Sequence, residues 1–240
     1  MKKVPVKTKI FDTLFLAIVI VITAYVFESA LLRWLMELGF VMSLGELFLT
    51  AYTKRQDLND FPHHIFPKES HYIIITNCII AIASICIFFV ELEPREYILF
   101  FAAVISADAG GLFFGRLFGH NHHPWFSRNL SPNKTWMGYL GEFIVSWSIS
   151  ALVIYIFKIP DSTFVRCFIA LAPLFGACGD LCASGAKRQL CIKDSSEVFR
   201  NMPILGSLEW FIKSRDGFLD CFDSIASAFI YFTITHYLFT

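Results

Sequence analysis

The stretch Tyr97-Ile-Leu-Phe-Phe-Ala-Ala-Val-Ile-Ser-Ala-Asp108-Ala-Gly-Gly-Leu-Phe-Phe-Gly-Arg116-Leu-Phe118 decides the fold class. It is long enough to cross the apolar core of a bilayer as a helix, which takes roughly 20 residues. Its only acid, Asp108, stands where water would be scarce. Working outward, six further apolar stretches follow the same pattern: residues 10–27, 30–52, 72–90, 136–157, 163–183 and 217–239. The composition agrees. AVILMFWYC residues make up 56% of the 240-residue chain and charged residues 17%, with 27 Phe and a mean hydropathy of +0.59. Soluble domains carry about 25% charged residues, so an ordinary soluble domain is excluded. The expectation is an all-α polytopic membrane bundle of about seven transmembrane helices, forming one domain over residues 1–240. Within it, 1–104 supplies N-terminal helices, 105–225 the chemistry-bearing motifs and 217–239 the last helix. The 30–52 stretch carries Arg33, Glu37 and Glu46, which leaves a re-entrant or interfacial path open for it.

Lys+Arg and Asp+Glu are equal at 20 each, so net charge names no partner. Placement is informative. With the N-terminus in the cytoplasm, seven alternating spans put Lys2, Lys3, Lys7, Lys9 and the basic residues of the 53–71, 119–135 and 184–216 loops on one side. The other side keeps only Arg95, Lys158 and Arg166. This is the positive-inside bias. The first stretch has a long apolar run and no small-x-small site after it, so a retained anchor is expected rather than a cleaved signal peptide. The seven cysteines form no CxxC pair and read as small buried apolar side chains kept reduced. His63-His64 and His120-Asn-His-His123 lack the spacing and Cys partners of a zinc site, and read as loop histidines.

Acids inside spans are expensive and default to functional candidates. Asp108, Asp180, Asp220 and Asp223 all fall in the cytoplasmic half of the expected topology. Asp220 and Asp223, three apart, share a helix face, and such a pair suits Mg²⁺, which takes oxygen ligands and keeps positions for phosphate oxygens. Beside them lie basic, glycine-containing loops: Ser131-Pro-Asn-Lys134-Thr135-Trp136-Met-Gly138, Ser184-Gly-Ala-Lys187-Arg188 and Ile192-Lys193-Asp194. Lysines, arginine and exposed backbone N–H groups suit a polyphosphate. Taken alone, a basic juxtamembrane loop is more often a topology signal or an anionic-lipid contact.

Together these segments resemble the phosphatidate cytidylyltransferase (CDP-diacylglycerol synthase) family. Asp108 through Gly115-Arg116-Leu-Phe-Gly119 to Ser131-Pro-Asn-Lys134-Thr135-Trp136-Met-Gly138 is similar to the family's Asp…Phe-Gly-Arg…Ser-Pro-x-Lys-Thr-Trp-Glu-Gly block. Gly179-Asp180-Leu181, Ser184, Lys187-Arg188 and Lys193-Asp194 resemble its Gly-Asp-Leu-x-Glu-Ser-x-x-Lys-Arg-x-x-x-x-Lys-Asp block. Leu219-Asp220-Cys-Phe-Asp223-Ser224 resembles its closing Leu-Asp-Arg-x-Asp-Ser. The departures are Met137 and Ala183 where the family has Glu, Arg215-Asp216-Gly217 for its His-Gly-Gly, and Cys221 for its Arg. Lys193 also lies 27 residues before Asp220, about a dozen more than the family's signature spans. The extra piece, 202–213, places Leu205, Leu208, Phe211 and Ile212 on one helical face and with Trp210 suits the lipid interface.

The resemblance implies that CTP and phosphatidate give CDP-diacylglycerol and pyrophosphate at the cytoplasmic face of a bacterial-type inner membrane. It implies two divalent ions, Mg²⁺, on Asp180, Asp220 and Asp223. Lys187, Arg188 and Lys193 would hold phosphates, and Ser131, Lys134 and Thr135 would line the nucleotide or lipid-head side. Asp108, Arg116, Ser184 and Asp194 would complete the substrate site. No nucleic-acid partner is expected, and a homodimer is left open. The rivals are a CTP-dependent transferase with another lipid phosphate acceptor, a non-catalytic membrane relative, a CDP-alcohol phosphatidyltransferase and a transporter. The phosphatidyltransferase pattern needs an Ala-Arg and a further aspartate spacing that 216–223 lacks. A transporter would carry inverted repeats or mid-membrane acids.

Overall fold

A computed structural model describes residues 28–57, 71–119, 123–190, 192 and 219–239. Among the described residues there are six helices and no strand: α1 (Glu28–Asp57), α2 (His71–Phe89), α3 (Pro94–Phe118), α4 (Trp136–Phe157), α5 (Thr163–Gln189) and α6 (Leu219–Phe239). Five of them contain a segment long and apolar enough to cross a membrane: Ala30–Tyr52, His71–Phe89, Pro94–Phe118, Trp136–Phe157 and Thr163–Gln189. The chain is an integral membrane protein of helical architecture. The 30–52 stretch is an unbroken helix rather than a re-entrant turn. The expected first span, 10–27, and the 202–213 piece lie outside the described residues.

The sixth helix, α6, is long enough to span but lacks a stretch as continuously apolar as the spanning segments of those five. Its position accounts for this. It packs chiefly on α5 and also on α2, α1 and α3, so much of its surface meets protein. Ala226, Ala228, Phe229 and Phe232 are fully buried. Its hydroxyls turn back on helical carbonyls: Thr233 donates to Phe229 O at 2.9 Å and Thr235 to Tyr231 O at 3.0 Å. Backbone and side-chain polar groups are thereby satisfied internally, as a bilayer demands. Around α6 the core is aromatic, with Phe100, Phe168, Phe229 and Phe232 in ring contact at centroid separations of 4.8–6.2 Å.

Local chemistry explains the helix starts and one internal proline. Pro94 opens α3, and Glu96 accepts the Glu93 N–H at 2.9 Å. Thr135 caps α4 by accepting the Gly138 N–H at 3.1 Å, and Ser162 caps α5 by accepting the Val165 N–H at 3.2 Å. Pro173, inside α5, has no N–H for the Ile169 carbonyl one turn back. The Trp147 indole of α4 donates to that carbonyl at 3.1 Å instead. Helices α3 and α4 pack together over the most extensive contact among the described helices. A Cβ on Gly141 would come within 2.7 Å of the Gly110 carbonyl, and one on Gly110 would strike the Gly141 carbonyl. Small residues at such a crossing let two backbones touch.

The later parts of α1, α3 and α5 lie beside the starts of α2, α4 and α6. Ile73 N–H donates to the Gln189 side chain, and Leu219 N–H donates to Glu46. Every sequence block singled out above that lies in the described residues falls at this one end. The cysteine expectation needs correction. The five described cysteines are free, but Cys78 and Cys178 are exposed rather than buried. On a spanning helix the outer surface meets lipid, which suits an apolar thiol as well as a core does.

Candidate functional site

Asp180 is the hub of the site. It sits on α5 next to Gly179, whose missing side chain admits the α6 backbone. A Cβ there would strike the Asp223 carbonyl oxygen and the Ser227 hydroxyl. This close approach of α5 to α6 brings Asp180 into Coulombic reach of Asp223, which lies likewise near Asp220, Asp108 and Lys187. Asp223 is buried, and its Oδ1 accepts the Ser224 N–H at 2.6 Å. Asp220, in the first turn of α6, forms an ion pair with Lys187 from the last turn of α5. Ser184, one turn after Asp180, donates to its Oδ1 at 3.4 Å.

The Ser-Pro loop reaches the same point from the other pair of helices. Lys134 Nζ lies 2.6 Å from Asp180 Oδ2 and 3.6 Å from Glu142 Oε1, with the Tyr139 ring centroid 5.1 Å away. Burial by itself would lower the Lys134 ammonium. The negative charges of Asp180 and Glu142, with Tyr139, override it and hold the group above the ordinary lysine range. The loop is braced through its backbone: Ser131 O accepts the Lys134 N–H at 3.1 Å, and Ser131 N–H donates to Ser127 O at 2.8 Å. With Nδ1 protonated, His123 donates to the Lys134 carbonyl at 3.0 Å, a structural role the sequence reading did not assign to it. Arg188 Nε reaches Leu130 O at 3.4 Å, tying α5 to this loop.

Of the residues singled out from sequence, Asp108, Ser131, Lys134, Thr135, Asp180, Ser184, Lys187, Arg188, Asp220 and Asp223 thus gather at one end of the bundle. Thr135 contributes as the cap of α4. Arg116 is exposed in the last turn of α3. Lys193 and Asp194 lie outside the described residues. Two acids escaped the sequence reading of the site. Glu142, on α4, is buried and within reach of Lys134, Asp108 and Asp180. Its signal was available, a carboxylate inside an apolar span. Glu46, on α1, is fully buried and accepts the Leu219 N–H at 2.7 Å. Sequence marked it only as a blemish in a span.

The donor set can be judged for a cation. Five carboxylates (Asp108, Glu142, Asp180, Asp220, Asp223) surround two ammonium groups (Lys134, Lys187), an all-oxygen environment with carboxylates in excess. That chemistry suits a hard divalent ion. Among the described residues, no three acid, His or Cys side chains converge as a ready ligand set. Two of the three proposed ligands, Asp180 and Asp220, are each engaged by a lysine.

A profile of the cytidylyltransferase family matches residues 2–239. The phosphatidate cytidylyltransferase of Staphylococcus saprophyticus is 32% identical over 154 residues, covering 61% of this chain and 53% of the relative. Those of Staphylococcus aureus and Staphylococcus haemolyticus are 31% and 29% identical over the same length and shares. The chain spans about half the length of these curated relatives. No solved structure matches it.

Proposed function

Since the chain belongs to the cytidylyltransferase family, we propose that it transfers the cytidylyl group of CTP to phosphatidate in the membrane, giving CDP-diacylglycerol and pyrophosphate. The observation that carries this reading is the meeting of Lys134, Asp180, Lys187, Asp220 and Asp223 at one end of an apolar bundle. A water-borne nucleotide and a membrane-held phosphate both have access to such a boundary. The similarly named staphylococcal relatives support the substrate pair. The basic loops of the sequence favour the cytoplasmic face, in an inner membrane with the N-terminus inside.

In the reaction a phosphate oxygen of the lipid bonds to the α-phosphorus of CTP as the bond to the β-phosphate bridging oxygen breaks, and that oxygen leaves with pyrophosphate. An anion attacking an anion needs neutralisation and alignment more than a base. Lys134, paired with Asp180, and Lys187, paired with Asp220, would supply positive charge, and Arg188 ties the Ser-Pro loop to α5. Lys193 would add a phosphate contact, and Arg116, Ser131, Ser184 and Asp194 would border the substrates. Asp180, Asp220 and Asp223 would hold divalent ions, Mg²⁺ by their oxygen donors. Such ions screen both reactants and stabilise the leaving pyrophosphate.

The test is incorporation of radiolabel from CTP into lipid by purified protein with Mg²⁺ and phosphatidate. Wild type should form a lipid-soluble cytidine product, and Asp220→Asn should lose at least 100-fold in rate, as expected where one charged partner at a reacting site is removed. Absence of product beside an active synthase control refutes the activity. Near-normal turnover by Asp220→Asn refutes the role given to the aspartates.

A further inference from the structure

Lys134 stands between two carboxylates from different helices, and one of them has no part in the reading above. Its ammonium is 2.6 Å from Asp180 of α5 and 3.6 Å from Glu142 of α4. A side-chain shift of about 1 Å, the difference of those distances, would exchange its nearer partner. The backbone need not follow, because Ser131, His123 and the Thr135 cap hold the loop on both sides of Lys134. Glu142 is itself held in place. Its side chain occupies the room left by the missing side chain of Gly111, where a Cβ would sit 2.7 Å from both its Cγ and its Oε1.

This half-buried ion pair resists opening, because either partner left alone is a partly desolvated charge. Asp180 nevertheless has to change partners if a cation or a substrate phosphate is to enter. We propose that Glu142 is a positioning residue that gives Lys134 a second seat. As Asp180 is taken up by an incoming cation, Lys134 passes to Glu142, stays charged, and remains at the mouth of the site facing the arriving phosphate. The nature of the incoming phosphate rests on the cytidylyl-transfer reading. The exchange itself rests on the geometry around Lys134.

Mn²⁺ alone, titrated into the purified full chain in nanodiscs and followed by the loss of its free EPR signal, tests the exchange without nucleotide or turnover. Glu142→Gln should weaken Mn²⁺ binding about tenfold, since the displaced ammonium then has no buried partner. Glu142→Asp, which keeps the charge on a shorter arm, should recover part of the loss. The decisive comparison is made in a Lys134→Met background. There is no ammonium to reseat there, so adding Glu142→Gln should change affinity less than about twofold. Equal weakening in both backgrounds would mean that Glu142 attracts the ion directly, and would overturn the proposal. So would an unchanged affinity in Glu142→Gln, or a wild type that binds no Mn²⁺. If Glu142→Gln does not fold, Gly111→Ala displaces the same carboxylate with every charge kept. It must then weaken Mn²⁺ binding in the Lys134 protein, and unchanged binding refutes the exchange. CTP turnover by the wild type is measured separately, so failure of the activity and failure of the exchange are told apart.

Discussion

Removing the Glu46 carboxylate should loosen the helix that carries two of the site aspartates. Leu219 opens α6, and its N–H is one of the first-turn donors that a helix cannot satisfy by itself. Glu46 Oε2 accepts it at 2.7 Å, with both residues fully buried. Glu46→Leu leaves that N–H in an apolar surrounding, which costs about 1–3 kcal/mol. It also removes a negative charge from a helix N-terminus, a loss of up to about 2 kcal/mol in a buried setting. Relief of the buried carboxylate offsets part of this, so the net loss is roughly 2–4 kcal/mol. At 1.4 kcal/mol per factor of ten, the seated start of α6 loses roughly 30- to 700-fold against a frayed one. Glu46→Gln keeps an acceptor oxygen and loses only the charge, so about 1 kcal/mol is expected. The assay is thermal unfolding of the purified protein in detergent, with limited proteolysis to find the opened segment and CTP turnover alongside. The order should be wild type, then Gln, then Leu, with turnover falling in step because Asp220 and Asp223 lie at the frayed end. A Leu variant that melts and turns over like wild type would refute the cap. A Gln variant as damaged as Leu would show that charge alone, not the acceptor, matters.

Two glycines set the opposite ends of a tolerance scale. Gly179→Ala drives a methyl group into the Asp223 carbonyl and the Ser227 hydroxyl. Backbone cannot rotate away, so a loss of about 1–3 kcal/mol in thermal unfolding, with turnover down at least tenfold, is expected. Gly45→Ala, at a half-buried position of α1, meets nothing within 4 Å. It should leave turnover unchanged and raise helix stability by about 0.5–1 kcal/mol, measured by the same unfolding experiment.

The helices were legible because an apolar run of some 20 residues has few other places to go. The acids were legible because a carboxylate in such a run must be explained. Their partners were not. Lys187 lies 33 positions from Asp220, and Glu46 lies 173 positions from the N–H it caps. Those pairings come from packing between helices, to which local sequence is blind. Trp147 shows the same limit. Nothing around it marks it as the donor that compensates Pro173 in another helix. The sequence counted Glu46 against the 30–52 helix, and the structure makes it a support for α6. Glu142 carried the same signal as Asp180 and lacked only the surrounding motif.

The ion pairs would explain why the proposed chemistry sits where it does. An apolar bundle tolerates clustered carboxylates only if part of their charge is offset, and here Lys134 and Lys187 offset two of the five from the chain itself. Deep in the membrane such pairs would be inert, since opening one would strand both charges. At the helix ends water and loop residues can receive the displaced groups. Both lysines lie there, Lys134 in the loop before α4 and Lys187 in the last turn of α5. The resting site is therefore neutralised enough to fold in lipid and near enough to water to exchange its counter-charges. The proposed reaction, joining one phosphate-bearing partner from water and one from the bilayer, would need both properties in the same few residues.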